Sequence, residues 1–140
     1  MAKPKSIAKL VEEAAVLLQK LVRMKAADDN GYCDCVTCGT SKQWNDGMQG
    51  GHFIDRGHKM TKILEENIHP QCSYCNSPMS NQGMVKANYT IYMQDMYGHD
   101  FLAELLNSKG QTKKFYREEV IEIIEDFKDQ IKIEAERLGC

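Results

Sequence analysis

The sequence predicts a mostly helical α+β protein in which a small non-helical centre lies between helical ends. Apolar residues recur every three or four positions near both ends of the chain, a pattern typical of amphipathic helices. Residues 32–80 lack this period and contain several glycines, which favours tight turns and short strands. The centre also contains two Cys-x-x-Cys pairs, Cys35/Cys38 and Cys72/Cys75.

The first element is a helix over residues 7–27. Ser6 precedes it and can cap it, because a serine hydroxyl accepts a hydrogen bond from the first helical turn. The sequence DDNGY predicts a turn where the helix ends. We expect its apolar stripe to pack in a core or at a dimer interface. The stripe consists of Ile7, Leu10, Val11, Ala14, Leu17, Leu18, Leu21 and Met24.

The helices of the second half begin after Ser80. The segments VKANYTIYMQDMYG and DFLAELLN predict one or two helices with a break at Gly98. A last helix over residues 113–138 carries an apolar face and an acidic, solvated face. Its apolar face consists of Val120, Ile123, Ile124, Phe127, Ile131 and Leu138.

These elements divide the chain into three segments. Residues 1–31 form the N-terminal amphipathic helix, residues 32–82 the cysteine-containing core, and residues 83–140 the C-terminal helical region. At 140 residues we expect them to form one compact domain. The core segment is too polar to supply an apolar core of its own, so it needs another source of stability.

The cysteines predict a metal site rather than disulfides. The N-terminus MAKPKSIAK has no apolar secretory segment, and no apolar run reaches the ~18 residues of a membrane span. We therefore expect a cytoplasmic protein without membrane contact, in which thiols stay reduced. Two Cys-x-x-Cys turns form a closed tetrahedral site for structural Zn²⁺, with no position left for water. The four predicted ligands are Cys35, Cys38, Cys72 and Cys75.

Two alternatives concern the thiols. A cytosolic thiol oxidoreductase also uses Cys-x-x-Cys, but its usual βαβ setting is absent from the predicted elements. Cys33 and Cys140 are expected to be free thiols, with Cys33 a competitor of Cys35 for the zinc.

A second group of residues is of the kind that activates water. Hydrolysis of a phosphodiester needs a base for the attacking water and a cation that stabilises the charge on the phosphate. Neutral imidazole is a suitable base near pH 7. Carboxylate, amide and imidazole groups are suitable ligands for Mg²⁺ or Mn²⁺. His52, Asn67 and Asn76 supply such groups around the cysteine pairs and favour a nuclease.

At this point the sequence resembles a known family. The run GHFIDRGH…NIHPQCSYCN resembles the HNH, or ββα-metal, endonucleases with a structural zinc. The longer pattern CVTCG…GGHF…ENIHPQCSYCN…SNQG…Y…YG…L is similar to the NinG/Rap recombination nucleases of lambdoid phages, over about residues 20–105. The resemblance implies a zinc-pinned β-hairpin followed by a helix, with the catalytic metal between them. It does not extend to the two ends of the chain, where the helices are predicted from the apolar period alone.

The resemblance also implies roles for three residues. His52 matches the first histidine of the motif and would be the general base. Asn67 matches the central asparagine, which would fix the loop between strand and helix and orient the base. Asn76 takes the final position and would bind the catalytic Mg²⁺ or Mn²⁺.

The residue before the first histidine, which is usually the first ligand of the catalytic metal, departs from the common pattern. Gly51 stands where an aspartate usually precedes the first histidine, so Asp55 and His58 are the expected substitutes as ligands. An inverted assignment, with His52 on the metal and His58 or His69 as the base, also stays open.

The predicted partner is DNA. Arg56, Lys59 and Lys62 follow the motif and are candidates for phosphate contacts, with Arg56 as a bidentate clamp. The net charge of −2 neither excludes nor favours the binding of DNA. Basic residues are locally concentrated, with six basic and two acidic side chains in residues 1–26. A second basic cluster consists of Lys109, Lys113, Lys114 and Arg117.

The resemblance implies a metal-dependent endonuclease that acts on branched, partly single-stranded recombination intermediates such as Holliday junctions and D-loops. It would act in the host cytoplasm if phage-encoded. A homodimer would suit a two-fold branched substrate, with the terminal helices at its interface. The rival hypothesis is a non-catalytic zinc-ribbon module that binds nucleic acid or a protein and carries a degenerate HNH site. The missing acid at Gly51 and the acidic net charge favour the rival.

Overall fold

The computed structural model describes residues 3–140, and these residues contain four α-helices and four short strands. A 3₁₀ turn, Glu65–Asn67, precedes the last strand. The predicted class, mostly helical α+β, is confirmed. The elements are α1 (Ile7–Ala26), β1 (Tyr32–Asp34), β2 (Ser41–Gln43), β3 (Met48–His52), β4 (Ile68–Cys72), α2 (Gln82–Tyr97), α3 (His99–Asn107) and α4 (Arg117–Leu138).

The helix ends follow the local signals with one exception. The Ser6 hydroxyl caps α1 by accepting a hydrogen bond from the Lys9 amide at 3.2 Å. Gly98, with a φ of 86°, separates α2 from α3 as predicted. The predicted start of α4 at residue 113 is wrong, because α4 begins at Arg117. Phe115 packs against the apolar core from an extended segment, which delays the helix.

The strands form two separate antiparallel pairs, β1 with β2 and β3 with β4. In the second pair Met48 lies opposite Cys72 and His52 lies opposite Ile68. The connection between β3 and β4 therefore leaves and returns at one end of the pair. The order β3, β4, α2 agrees with the hairpin and helix that the resemblance implies, and Asn76 lies in the turn before α2 rather than within it.

One apolar core joins the three segments predicted from the sequence. Leu18 of α1, Ile68 of β4 and Val120 of α4 are fully buried in the same cluster. Helix α1 packs on α4 and on the β3–β4 pair. A second cluster surrounds Phe53 and Ile54 with α2 and α3. The apolar stripes of α1 and α4 thus pack in a core within this chain. A core was one of the two expectations for them, and a dimer interface was the other.

Two glycines before His52 are required by close packing. At Gly50 an added Cβ would lie 2.7 Å from the Cα of Gln19, so α1 approaches the backbone of β3 directly. At Gly51 it would lie 1.8 Å from Oε1 of Gln71, whose buried side chain donates a hydrogen bond to the Thr37 hydroxyl at 3.3 Å. An aspartate at position 51 would therefore require the Gln71 side chain to move.

Within residues 3–140 no helix is both long enough and apolar enough to cross a membrane.

Gly50→Ala is expected to destabilise the protein by about 1–3 kcal/mol, because the new methyl group meets helix backbone that cannot rotate away. The control is Gly83→Ala in the first turn of α2, where the nearest atom lies at 3.6 Å. That change should be neutral or stabilising by up to about 1 kcal/mol. Urea denaturation of both variants measures the difference. Equal stabilities would contradict the close approach of α1 to β3.

Candidate functional site

The four cysteines of the two Cys-x-x-Cys pairs come together. Cys35 and Cys38 lie in the turn after β1, Cys72 ends β4, and Cys75 lies in the next turn. Their Sγ atoms all lie within 4.8 Å of one another, and those of Cys38 and Cys72 are 3.8 Å apart. Tetrahedral Zn–S bonds of about 2.3 Å place the sulfurs about 3.8 Å apart. The cluster can therefore hold a metal ion such as zinc, as the spacing predicts.

Two similar turns present these thiols. In the first, the Gly39 amide donates to the Cys35 carbonyl at 2.8 Å, and the positive φ of Gly39, 80°, lets the chain reverse there. In the second, the Asn76 amide donates to the Cys72 carbonyl at 3.0 Å. The Cys75 amide donates to Sγ of Cys72 at 3.4 Å. Backbone N–H groups thus help to fix the sulfurs before any cation binds.

The acidity of the thiols fits a site for a cation. Burial raises the pKa of Cys72 and raises that of Cys75 to about 12. Burial also opposes ionisation of Cys35, but hydrogen bonds from the Thr37 side chain and from backbone amides outweigh it and bring its pKa to about 6. A divalent cation stabilises thiolates that burial alone disfavours.

The other two cysteines lie outside this cluster. Cys33 is buried in β1, and burial raises its pKa to about 11. Cys140 is exposed. Within the described residues, the four clustered cysteines are the one group of three or more Cys, His, Asp or Glu ligands that lie close enough to share an ion.

Three of the predicted catalytic residues line one open cleft of about 570 Å³. They are His52 at the end of β3, Asp55 in the loop that follows, and Asn76 beside the second cysteine turn. A second cavity of about 400 Å³ shares the same three residues. The cleft is also lined by Gln19, Arg23, Gln49, Gly50, Arg56 and Gln82.

The imidazole of His52 is held in one orientation. Its Nε2 lies 2.9 Å from the backbone carbonyl of Lys62. A carbonyl only accepts, so Nε2 carries the hydrogen and Nδ1 keeps a free lone pair. Burial lowers the pKa of His52, which keeps the ring neutral at pH 7. The ring is therefore able to accept a proton at Nδ1.

Asn67 closes the loop between the two strands. It is fully buried, and its Nδ2 donates to the carbonyls of Ile54 at 2.9 Å and Thr61 at 3.1 Å. Its Oδ1 accepts from the Ile54 amide at 2.8 Å, and its backbone carbonyl accepts from the Phe53 amide at 2.8 Å. These bonds fix the chain next to His52, in the connection between the two strands rather than in a loop between strand and helix.

Asn76 and Asp55 supply oxygen atoms to the cleft. Nδ2 of Asn76 donates to Oε1 of Gln49 at 2.8 Å, which leaves Oδ1 of Asn76 as the atom able to bind a cation. The Asp55 side chain is 77% exposed, and its Oδ1 accepts from the Gly57 amide at 3.1 Å. His58 Nε2 lies 3.6 Å from that same Oδ1, and His58 does not line the cleft.

His69 has no free ring nitrogen. Its Nε2 lies 2.8 Å from the hydroxyl of Tyr97 and its Nδ1 lies 3.1 Å from that of Tyr89. The Tyr89 hydroxyl donates to the Gly51 carbonyl at 2.7 Å, so it accepts from Nδ1–H of His69. Burial lowers the pKa of His69 to about 4. This geometry counts against His69 as the base and makes it a link between α2 and the strand that carries His52.

The three predicted phosphate contacts lie on the loop after β3. Arg56 pairs with one carboxylate oxygen of Glu12, and Nζ of Lys62 lies 2.8 Å from the other. Lys59 is exposed. Glu12 of α1 therefore holds two of these cations beside the cleft.

Sequence reasoning missed several residues of the site. Gln82 and Lys86 line the second cavity from one face of α2, and their four-residue spacing was a signal that could have grouped them. Nζ of Lys86 lies 3.9 Å from the centre of the Phe53 ring and also donates to the Phe53 carbonyl. Gln49 had no such signal, because its partner Asn76 is 27 residues away.

The comparisons with known proteins identify the family. The family model described as "Bacteriophage Lambda NinG protein" matches residues 1–137, and the chain therefore belongs to this family. No curated protein and no solved structure matches the chain.

Cys72→Ser is expected to abolish metal binding and to destabilise the fold, because the binding free energy of a structural metal is part of the folding free energy. The purified wild-type chain should carry about one zinc ion, measured by plasma mass spectrometry. Thermal melts should show that the variant is much less stable. Cys140→Ser, an exposed cysteine outside the cluster, is the matched control and should keep both its zinc and its stability. A stable wild-type protein free of metal would contradict the assignment, as would a Cys72→Ser variant with a full complement of zinc.

Proposed function

We propose that this member of the NinG family is a metal-dependent DNA endonuclease of the zinc-containing HNH class, which cleaves branched recombination intermediates such as Holliday junctions and D-loops. The observation that carries the proposal is that His52, Asp55 and Asn76 line one open cleft beside the cysteine cluster. Zn²⁺ bound by four thiolates is structural, since such a shell leaves no position for water. The reaction then depends on the groups of the cleft.

His52 is the general base. Its Nε2–H is committed to the Lys62 carbonyl, so Nδ1 accepts the proton of the attacking water. The water oxygen forms a bond to phosphorus, and the bond from phosphorus to the 3′ oxygen breaks on the opposite side. The leaving 3′ oxygen takes a proton from solvent water, and the products are a 5′-phosphate and a 3′-hydroxyl. Asn67 and the chain from His69 through Tyr89 to Gly51 are positioning groups, because they hold the backbone on both sides of His52.

Asn76 and Asp55 are the residues that would hold Mg²⁺ or Mn²⁺. Protein sites for Mg²⁺ usually supply one or two carboxylates and leave the other positions to water and substrate phosphate. One amide oxygen and one exposed carboxylate in an open cleft fit this mode. When bound, such a cation stabilises negative charge on the phosphate and on the leaving oxygen. His58 lies outside the lining of the cleft, but its Nε2 is 3.6 Å from Oδ1 of Asp55, so it is the candidate for a further ligand.

The position of the cations supports contact with DNA. Arg56 lines the cleft itself, and Lys59 and Lys62 follow on the same loop, so a phosphate backbone in the cleft passes these three side chains. A homodimer would need a surface other than the apolar stripes of α1 and α4. The buried residues of both stripes pack against each other within the chain.

The rival function is a binding module without catalysis. It is favoured by the absence of a carboxylate at position 51, where the side chain of Gln71 fills the space. The two hypotheses differ in whether His52 matters for cleavage.

The test incubates the pure protein with a four-way junction, a D-loop, a flap and a linear duplex, without divalent cation and with Mg²⁺ or Mn²⁺. Cleavage of branched DNA should require the cation. His52→Ala should lower the rate by about 10²–10⁴-fold, as expected when a general base is lost. Asn76→Ala should raise the cation concentration needed for half-maximal rate.

The control is His99→Ala, which changes an exposed histidine at the start of α3. Its cleavage rate should equal that of the wild type. Wild-type rates in His52→Ala would remove this residue from the mechanism. Binding of branched DNA without cleavage in either metal would support the binding module instead.

A further inference from the structure

A basic groove of about 520 Å³ lies next to the active-site cleft. Three parts of the chain meet there: the first turns of α1, the loop after β3, and the extended segment before α4. The five cations that line it come from two parts of the chain far apart in sequence. They are Arg56, Lys59, Lys62, Lys113 and Lys114.

The groove also has an apolar lining. Val11 of α1 and Phe115 line it together with the cations. Nζ of Lys113 lies 5.4 Å from the centre of the Phe115 ring. An aromatic and apolar surface surrounded by cations is the usual composition of a groove for single-stranded nucleic acid, in which unpaired bases stack and phosphates meet positive charge. In a duplex the faces of the bases are stacked on one another inside the helix, so they are not available to stack on such a lining.

The groove and the cleft are neighbours. Arg56 is in the lining of both, so the two lie on either side of this one side chain. We propose that the basic groove binds a single DNA strand continuous with the strand in the cleft, and that Phe115 contacts its bases while Lys113 and Lys114 contact its phosphates. This inference rests on the proposed function, because it names the form of DNA that the same site takes.

Glu12 lies where the cleft meets the groove. One of its carboxylate oxygens pairs with Arg56 and the other with Lys62. A carboxylate between two cations takes the place that a phosphate oxygen would take, so Glu12 competes with DNA for them. Burial lowers the pKa of Lys62, and the charge of the neighbouring Arg56 adds to this effect. Removal of this carboxylate should therefore strengthen the binding of DNA.

The test measures fluorescence anisotropy of a labelled 12-nucleotide single strand and of a matched 12-base-pair duplex, without added divalent cation so that no cleavage occurs. The K113Q/K114Q double variant should bind the single strand about tenfold more weakly at low salt. Its salt dependence should fall by about 1.4 in log–log slope, because two phosphate contacts to a single strand are lost. The K128Q/K132Q double variant on the exposed side of α4 has the same charge change and should bind like the wild type.

Two further variants separate binding from folding. Glu12→Gln should bind the single strand several-fold more tightly, whereas a merely structural role for Glu12 predicts weaker binding. Phe115→Leu keeps an apolar side chain for the core and should weaken binding of the single strand while leaving duplex binding unchanged.

Unchanged binding of the single strand by K113Q/K114Q would overturn the proposal that the groove binds DNA. An equal loss for duplex and single strand would overturn the claim that the groove takes an unpaired strand. Binding is measured without the catalytic cation and so does not depend on cleavage. A protein that binds DNA through the groove and never cleaves it would refute only the proposed endonuclease activity. Normal cleavage with a groove that plays no part in binding would refute only this inference.

Discussion

Helix α1 packs directly on the backbone of strand β3, and this contact orients the elements around the cleft. At Gly50 the strand lies so near Gln19 that even a methyl group has no room. This contact fixes the β3–β4 pair on α1, and α4 packs on α1 in the same core. Once the pair is fixed, the end of β3 places His52 and the turn after β4 places Asn76 at the same cleft. The site is therefore a consequence of how one helix meets one strand pair.

The cysteine cluster fixes the other side of the cleft. Its two turns are 34 residues apart at Cys38 and Cys72, and their sulfurs are close enough to share one ion. Asn76 follows the last cysteine directly, so a metal held by the thiols also determines where the Oδ1 of Asn76 lies. In the proposed enzyme one metal stabilises the fold while a second, in the open cleft, takes part in the reaction. This division explains why a polar and glycine-rich segment can carry a precise site.

Local signals in the sequence account for the helices and the cysteine cluster. Residue spacing and the Ser6 cap predict α1, and Cys-x-x-Cys spacing predicts which sulfurs meet. The start of α4 was wrong because Phe115 packs in the core, a tertiary effect without a local signal. Contacts between residues that are far apart in sequence were not predicted either, because they too have no local signal. The side chain of Gln71 fills the space beside Gly51, and Glu12 pairs with cations more than 40 residues away.

In the proposed enzyme one metal is structural and a second lies in the cleft. Anomalous diffraction from crystals grown with Mn²⁺ and a branched DNA, recorded at the zinc and manganese edges, separates the two sites. We expect a zinc signal bonded to the four sulfurs at about 2.3 Å. We also expect a separate manganese signal within coordination distance of Oδ1 of Asn76 and of a DNA phosphate. A cleft that holds DNA without manganese, or manganese only at the cysteines, would contradict this proposal.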